Sequence, residues 1–86
     1  MASYKLFFKR SAEKELRRIS EPDLRRVVQR IQSLSHQPRP PGAQMLKGQG
    51  KDWRIRQGDY RVIYEVNDSA QEVSIIKIGH RRDVYN

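Results

Sequence analysis

Three arginines in the second half of the sequence are the residues best suited to chemistry on an anion. Arg54 and Arg56 are separated by one apolar residue, and Arg61 follows the next turn. A guanidinium binds phosphate oxygens through paired hydrogen bonds, and it stays protonated, so it cannot act as a base. These residue types therefore predict a phosphate-binding site whose chemical contribution would be charge stabilisation.

The pairing register of the two strand-like segments decides whether these arginines share a face. A two-residue loop of sequence "GD" places Arg56 opposite Arg61 and aligns the apolar residues of both strands on the other face. A three-residue loop would place Arg56 beside Tyr60 and mix charge into the apolar side, which burial disfavours. The first register is therefore predicted, with Gln57 facing Tyr60, Ile55 facing Val62, Arg54 facing Ile63 and Trp53 facing Tyr64.

The predicted register has an energetic cost that suggests a ligand. A pair of like charges directly opposite each other, such as Arg56 and Arg61, is unfavourable by roughly 0.2 to 1 kcal/mol relative to a neutral pair. A single long cationic side chain can escape this cost by extending into water, which is the alternative interpretation. Three arginines on one face, with Glu65 as the only acid expected there, favour a site that a phosphate occupies.

The end of the sequence, "GHRRDVYN", concentrates charged and aromatic residues after a strand-like segment. A strand from Glu72 to Ile78 beside the hairpin would deliver Gly79 and its successors to a sheet edge near one end of the three arginines. The segment is therefore predicted to add side chains to a site that other strands build. Packing of Tyr85 on the core and pairing of Asp83 with a neighbouring arginine are the alternatives.

The N-terminal half predicts one strand and two helices. Ser3 to Phe8 alternates with period two, as in a strand. Ser11 is a candidate N-cap for a first helix, and Ser20 is one for a second helix with Pro22 in its first turn. The second helix carries an apolar stripe of Leu24, Val27, Val28, Ile31 and Leu34. Its outer arginines are interpreted as a solvated surface rather than a binding ridge: Arg25, Arg26 and Arg30.

The remaining elements complete a fold of the α+β class. The proline-rich segment "HQPRPPGAQ" is predicted to be a loop. Three strands are then predicted at Lys51 to Gln57, Tyr60 to Val66 and Glu72 to Ile78. The expected architecture is an N-terminal strand, two antiparallel helices and a three-strand antiparallel meander, forming one sheet with the helices on one face. At 86 residues the chain has room for a single domain spanning 1–86.

The composition narrows the classes of partner and of chemistry. The chain has 18 Lys and Arg against 10 Asp and Glu, a net charge of +8, which favours nucleic acid, an acidic protein or an anionic membrane as partner. The longest apolar run near the start, Leu6 to Phe8, is too short for a signal or membrane-spanning segment, so a soluble, cytoplasmic protein without membrane association is expected. Without cysteine, and with His36 and His80 lacking ligand spacing, neither a metal nor a cofactor is expected.

The segments "MLKGQGKDWRIRQGDYRVIYEV" and "IIKIGHRRDVY" resemble the RelE/ParE superfamily of toxins from bacterial type II toxin-antitoxin systems, in particular its RelE branch. The resemblance covers nearly the whole chain, and "LKG", the hairpin and "IGHRRDVY" are its most specific parts. It implies an endoribonuclease, a ribosome-dependent mRNA interferase that cleaves message in the ribosomal A site and so inhibits translation.

The resemblance also implies roles for individual residues. Arg54 and Arg56 would occupy the basic strand positions, where relatives commonly have lysine. Arg61 and Arg81 would stabilise charge while the ribose 2′-hydroxyl attacks its own 3′-phosphate without a metal. Tyr85 would be the general base, because nearby arginines would favour its phenolate. RNA and ribosome binding is assigned to Lys47, Lys51, Arg54, Arg56 and Arg82.

His80 is a further candidate for proton transfer, because imidazole titrates in the useful pH range. Strand alternation turns it away from Arg81, however, and a structural role is the competing interpretation. The residue that protonates the leaving group therefore stays open.

The implied partners are a cognate RelB-like antitoxin, the ribosome and mRNA. An acidic or amphipathic antitoxin segment would mask the basic face, and operator DNA would be bound only through the antitoxin complex. The free toxin would be a monomer and the complex a heterotetramer. The alternatives are a ParE-like inhibitor of DNA gyrase without nuclease activity, and a nucleic-acid-binding module without chemistry.

Overall fold

A computed structural model describes residues 3–46 and 51–80 of the chain. Within these ranges the alternating segments form strands and the segments with helical spacing form helices, as the periodicities require. The elements in chain order are β1 (Lys5–Phe8), α1 (Arg10–Arg17), α2 (Asp23–Ser33), β2 (Gln44–Met45), β3 (Asp52–Gln57), β4 (Tyr60–Asn67) and β5 (Glu72–His80).

The strands form one five-stranded mixed sheet in the order β1-β5-β4-β3-β2. Strands β3, β4 and β5 form the expected antiparallel meander, but β1 pairs with β5 in parallel, and β2 pairs with β3. The expectation of an antiparallel sheet with no strand in the proline-rich loop is therefore wrong. Strand β2 has two residues, too few to show a period, and the parallel pairing joins opposite ends of the chain.

The helix starts also differ from the sequence prediction. Helix α1 begins at Arg10 with Lys9 at its N-cap, and α2 has Pro22 at its N-cap; no side chain caps either start. Ser11 therefore lies inside α1. Ser20 contributes only its backbone carbonyl, which accepts a hydrogen bond of 3.0 Å from the N–H of Leu24. The prediction of two serine side-chain caps is wrong.

Both helices pack against the same face of the sheet, which confirms that part of the predicted architecture. The buried cluster combines helix residues with strand residues. The first are Ala12 from α1, Ile19 just after it, Val27 and Ile31 from α2, and Leu34 just after α2; the second are Ile55, Val62, Tyr64, Val73, Ile75 and Ile78. Alternation along the strands then assigns the intervening residues to the opposite face. Over the described ranges, neither helix has the length and apolar composition needed to cross a bilayer.

Tyr64 ties the proline-rich loop to this core. Its side chain is fully buried, and its hydroxyl donates a hydrogen bond of 2.7 Å to the carbonyl oxygen of Pro38. Burial raises the pKa of Tyr64 to about 12, so the phenol stays protonated at neutral pH. The tyrosine thus serves as a permanent donor that holds the loop against the sheet.

An exposed polar cluster fastens the same loop to the turn after β4. Two nitrogens of Arg39 donate to the two carboxylate oxygens of Asp68 at 3.1 and 2.9 Å, and the hydroxyl of Tyr4 donates to Asp68 at 2.7 Å. The guanidinium of Arg39 also lies 5.4 Å from the ring centroid of Trp53. The hydrogen bonds from Arg39, and next those from Tyr4, lower the pKa of Asp68.

The cluster predicts a pH-dependent contribution to stability. Because the folded pKa of Asp68 lies below its ordinary value of 3.8, the contribution is present at neutral pH and is lost as pH falls through the folded pKa. Asp68→Asn should therefore melt at a lower temperature than the wild type at pH 7, and the difference should vanish in acid. Calorimetry from pH 7 into acid measures this difference in melting temperature. Arg39→Gln should lose the same pH-dependent part, in addition to its contact with Trp53. A difference between Asp68→Asn and the wild type that stays unchanged in acid would contradict the assignment.

Candidate functional site

The hairpin of β3 and β4 has the register that burial predicted. Arg56 faces Arg61, Arg54 faces Ile63, Ile55 faces Val62, Trp53 faces Tyr64 and Gln57 faces Tyr60. The two-residue turn has Gly58 at φ +60°, a backbone conformation that favours glycine. The register prediction is confirmed.

The three arginines of the hairpin lie on the face of the sheet opposite the helices, and we refer to Arg54, Arg56 and Arg61 as the arginine face. The assignment follows from the burial of Ile55 and Val62, which alternate with the arginines and belong to the core. Arg56 is exposed, whereas Arg54 and Arg61 are half-buried. Two facing strands thus bring three guanidinium groups to one end of a pleated surface.

Neighbouring strands supply residues around the arginine face that sequence reasoning missed. The side-chain amide oxygen of Gln44 in β2 accepts a hydrogen bond from Nη2 of Arg54. On β5, Gly79 faces Arg61 and Lys77 faces Ile63. Only the pairing of β2 and β5 with the hairpin reveals these neighbours.

Arg61 is the central member of the arginine face. It is flanked by Arg56 on one strand and by Gly79 on the other. Its Nη1 atom is shielded from solvent, which lowers the local dielectric constant and strengthens interactions with an anion.

Acidic residues occupy the other end of the same face. Asp52 faces Glu65 across the hairpin, so the expectation that Glu65 is the only acid on this side is wrong. At about 3.3 Å per residue, this pair lies roughly 13 Å along the strands from Arg56 and Arg61, beyond the Debye length of about 8 Å at physiological salt. The separation leaves the end with Arg56 and Arg61 attractive to anions, whereas Arg54 lies about 7 Å along β3 from Asp52.

His80 lies on the helix side of the sheet, away from the arginine face. It faces Tyr60 in the register, and the two rings meet edge to face with centroids 5.6 Å apart. Its Nε2 lies 3.9 Å from a carboxylate oxygen of Asp59 in the hairpin turn. The structure therefore does not bring His80 together with Arg61, and the predicted separation of His80 from Arg81 lies outside the described residues.

The other predicted site residues fall into two groups. Lys51 is exposed just before β3, at the end of the hairpin that carries Asp52 rather than Arg56. Lys47, Arg81, Arg82 and Tyr85 lie outside the described residues. Among the residues that the structure describes, no three His, Asp or Glu side chains are grouped so that they could hold a metal ion.

Glu15 of α1 anchors the end of β5 that leads toward the C-terminal segment. Strand β1 pairs with β5 only as far as Phe8 and Ile75, which leaves the following β5 edge uncovered. The Glu15 carboxylate accepts a hydrogen bond of 2.9 Å from the N–H of Ile78 and lies 3.7 Å from Nζ of Lys77. A side chain thus replaces the missing strand partner.

Removing this anchor should loosen the end of β5. Glu15→Ala should lower the free energy of unfolding by about 1 to 2 kcal/mol and accelerate hydrogen exchange of the Ile78 amide, because its acceptor is lost. Glu15→Gln keeps an amide oxygen and should retain most of the protection. The matched control is Glu13→Ala, since Glu13 makes only an exposed pair with Arg17 at 3.7 Å. Equal exchange rates in all three variants would contradict the anchoring role.

Comparison with known proteins shows what the chain resembles. The family model described as "ParE toxin of type II toxin-antitoxin system, parDE" matches residues 6–85. A similar curated protein is Toxin RelG of Mycobacterium tuberculosis, which is 28% identical over 83 residues. The alignment covers 95% of this chain and 95% of Toxin RelG.

Solved structures share the fold over nearly the whole chain. The toxin-antitoxin complex RelBE2 of Mycobacterium tuberculosis superposes with a TM-score of 0.83 at 26% identity, covering 94% of both chains. The archaeal RelE-RelB complex of Pyrococcus horikoshii OT3 gives 0.81 at 30% identity, covering 92% of this chain and 96% of the other. The isolated E. coli RelE toxin superposes with a TM-score of 0.80 at 25% identity, covering 91% of this chain and 84% of the other.

Proposed function

The chain belongs to the ParE toxin family of type II toxin-antitoxin systems, and from this premise we propose that it is a ribosome-dependent mRNA endonuclease of the RelE type. The observation that carries the proposal is the arginine face, where Arg61 lies between Arg56 and Gly79. Similarity to Toxin RelG and to solved RelE toxins supports the same choice within the family.

The proposed reaction is a transfer within the RNA strand. The 2′-oxygen of one ribose attacks the phosphorus of its own 3′-phosphate, the bond from phosphorus to the 5′-oxygen breaks, and a cyclic phosphate and a 5′-hydroxyl result. One proton must leave the 2′-hydroxyl, and one must reach the departing 5′-oxygen. Negative charge accumulates on the non-bridging oxygens in the transition state, and arginine can stabilise that charge.

Arg61 is proposed to stabilise that charge, with Arg56 and Arg54 holding the adjoining RNA backbone. A half-buried guanidinium with fixed neighbours is preorganised for a developing oxyanion, which is worth more than the same group in water. Arg81 and Tyr85 are proposed, from the family resemblance, as the second charge-stabilising group and the general base. They follow β5, whose Gly79 faces Arg61.

Dependence on the ribosome is part of the proposal. Guanidinium groups cannot take the 2′-hydroxyl proton, so the described part of the arginine face offers binding and charge stabilisation but no base. Correct alignment of the reacting groups can lower the activation free energy by as much as about 7 to 11 kcal/mol. The decoding site of a ribosome would hold an mRNA codon in one geometry. The free protein is therefore expected to cleave naked RNA poorly.

A RelB-like antitoxin is the proposed partner that restrains this activity. Related toxins have been solved with RelB in RelBE complexes. An acidic or amphipathic segment would be attracted to a chain of net charge +8 and would cover the arginine face. Binding to operator DNA through the antitoxin and assembly into a heterotetramer belong to the same proposal.

A ParE-type gyrase inhibitor is the second candidate, because the matching family model is described by ParE. Two assays run over the same concentrations separate the candidates: cell-free translation and supercoiling by DNA gyrase. The proposal predicts that translation stops at protein concentrations well below that of ribosomes, as a catalyst allows, while gyrase keeps its activity. Inhibited gyrase with intact translation would favour the ParE type. Stoichiometric inhibition with uncut message would favour a binding module.

A further inference from the structure

A second group of basic side chains lies outside the arginine face, on α2 beside the hairpin turn. An open groove of about 460 Å³ is lined there by Arg26, Gln29, Arg30, Ser33 and Gln57, and we refer to it as the helix groove. All five lining residues are polar, two are cationic and none is acidic. The groove thus offers hydrogen-bond donors and positive charge, and no residue of its lining is apolar.

Helical spacing explains why these residues converge. Arg26, Arg30 and Ser33 recur at i, i+4 and i+7, which is one side of α2. This side borders the stripe of Val27 and Ile31 that enters the core, so it lies close to the sheet. Gln57, the last residue of β3, completes the lining from the sheet.

The charges of the helix groove are not balanced within the described residues. Arg26 and Arg30 form a like-charged i, i+4 pair, unfavourable by roughly 0.2 to 0.5 kcal/mol, and neither makes an ion pair in the part of the chain that the structure describes. Three other arginines have acids close by: Arg17 with Glu13 at 3.7 Å, Arg25 with Glu21 at 3.9 Å and Arg39 with Asp68 at 2.9 Å. The interpretation as a solvated helix surface suits Arg25, but it does not explain why Arg26 and Arg30 form a like-charged pair.

We propose that the helix groove binds a backbone phosphate of RNA and is a second contact for RNA that reaches the arginine face. The inference rests on the proposed function for the identity of the polyanion. Gln57 and Arg56 are consecutive in β3 with side chains on opposite faces, so the groove and the arginine face meet at the same end of the hairpin. An RNA that curves around the hairpin turn would contact both.

The lining favours RNA over an acidic protein as the ligand. Two guanidinium groups and the amides of Gln29 and Gln57 are donors suited to phosphate oxygens. A docking peptide would normally bury apolar or aromatic anchors at the centre of its interface, and this groove has no apolar residue to receive them. The chemistry of the groove therefore matches a phosphate chain.

The test compares two double variants with the same change in charge. Arg26→Gln with Arg30→Gln removes both cations of the groove, and Arg17→Gln with Arg25→Gln removes two helix arginines that have acidic partners. The probe is a fluorescent single-stranded RNA with 2′-O-methyl riboses, which cannot be cleaved by 2′-hydroxyl attack. Its affinity for the purified chain is measured from about 50 to about 200 mM salt, the range over which phosphate contacts are weakened strongly.

The groove variant should bind the probe about tenfold more weakly at low salt than the control variant. Its plot of log affinity against log salt should be shallower by about 0.7, because the groove is proposed to hold one phosphate and each phosphate contact to a single strand contributes about 0.7. Equal losses in the two double variants would show an effect of net charge alone and would overturn the proposal. Unchanged RNA binding with weaker binding of a polyglutamate peptide would assign the groove to an acidic protein instead.

This readout is independent of the nuclease proposal, because the probe cannot be cut. If the groove variant loses affinity as expected but the wild type never cleaves message on ribosomes, the helix groove stands and the nuclease assignment fails. If the wild type cleaves and the groove variant binds like the control, the nuclease stands and the groove is wrong. Thermal melting checks the fold, and relief of the like-charged pair should leave the melting temperature of the groove variant undiminished.

Discussion

Arg61→Ala should slow mRNA cleavage on programmed ribosomes by about 10²- to 10³-fold while leaving the fold intact. This is the loss expected when a preorganised group that stabilises an oxyanion is removed from a partly buried site. Arg61 is half-buried between Gly79, which has no side chain, and Arg56, whose exposed guanidinium is less rigidly held. The single-turnover rate at saturating protein is the measurement, because it reports the chemical step rather than ribosome binding.

Three further variants make the Arg61 result specific. Arg25→Ala removes an arginine that pairs with Glu21 on the exposed helix surface and should cleave at the wild-type rate. Arg56→Ala should lose less than Arg61→Ala, since Arg56 is exposed and less rigidly held. Arg61→Lys keeps the charge without the planar fork and should recover only part of the rate. A wild-type rate in Arg61→Ala would place charge stabilisation elsewhere.

Ile55→Ala should lower the free energy of unfolding by about 2 to 5 kcal/mol, the range for truncating a buried isoleucine. Ile55 is completely buried and lies in β3 between Arg54 and Arg56. A chain of this size has a total stability on the order of 4 to 13 kcal/mol, so the variant would lose a large part of it. Urea unfolding followed by circular dichroism measures the change.

The control for Ile55 is another isoleucine of the same hairpin. Ile63 faces Arg54 on the arginine face and is only half-buried. Ile63→Ala should therefore lower the free energy of unfolding clearly less than Ile55→Ala does. Ile55→Val should cost about 0.5 to 1.5 kcal/mol. If Ile63→Ala were the more destabilising of the two alanine variants, the core would lie on the other face and the register would be wrong.

Burial is the reason why the hairpin could be predicted from sequence. Shifting the register by one residue would put Ile55 and Val62 on opposite faces, so one of them would leave the core and arginine would enter it; only one alignment is therefore compatible with folding. Strand β2 offered no such signal, because two residues in a proline-rich segment have no period. The parallel pairing of β1 with β5 depends on contacts between distant parts of the chain, which local patterns do not encode.

The site was predictable to the same extent as the hairpin that builds it. Arg54, Arg56 and Arg61 were identified from alternation alone, whereas Gln44 became a neighbour of Arg54 only through the pairing of β2. Position in three dimensions also separates arginines that look alike in sequence: Arg25 has Glu21 beside it, and Arg26 lines the helix groove. The roles assigned to Arg81 and Tyr85 rest on resemblance and stay predictions.

Mapping the ends of mRNA after incubation with programmed ribosome complexes tests the central proposal most directly. The purified chain is added to message with and without ribosomes. Primer extension locates the 5′ ends of the downstream fragments, and the 3′ ends of the upstream fragments are tested for a cyclic phosphate. We expect a cut confined to the codon in the A site, absent from naked message and strongly reduced by Arg61→Ala. Message that stays intact on ribosomes that have bound the protein, or cuts that are equally frequent on naked RNA, would contradict the account.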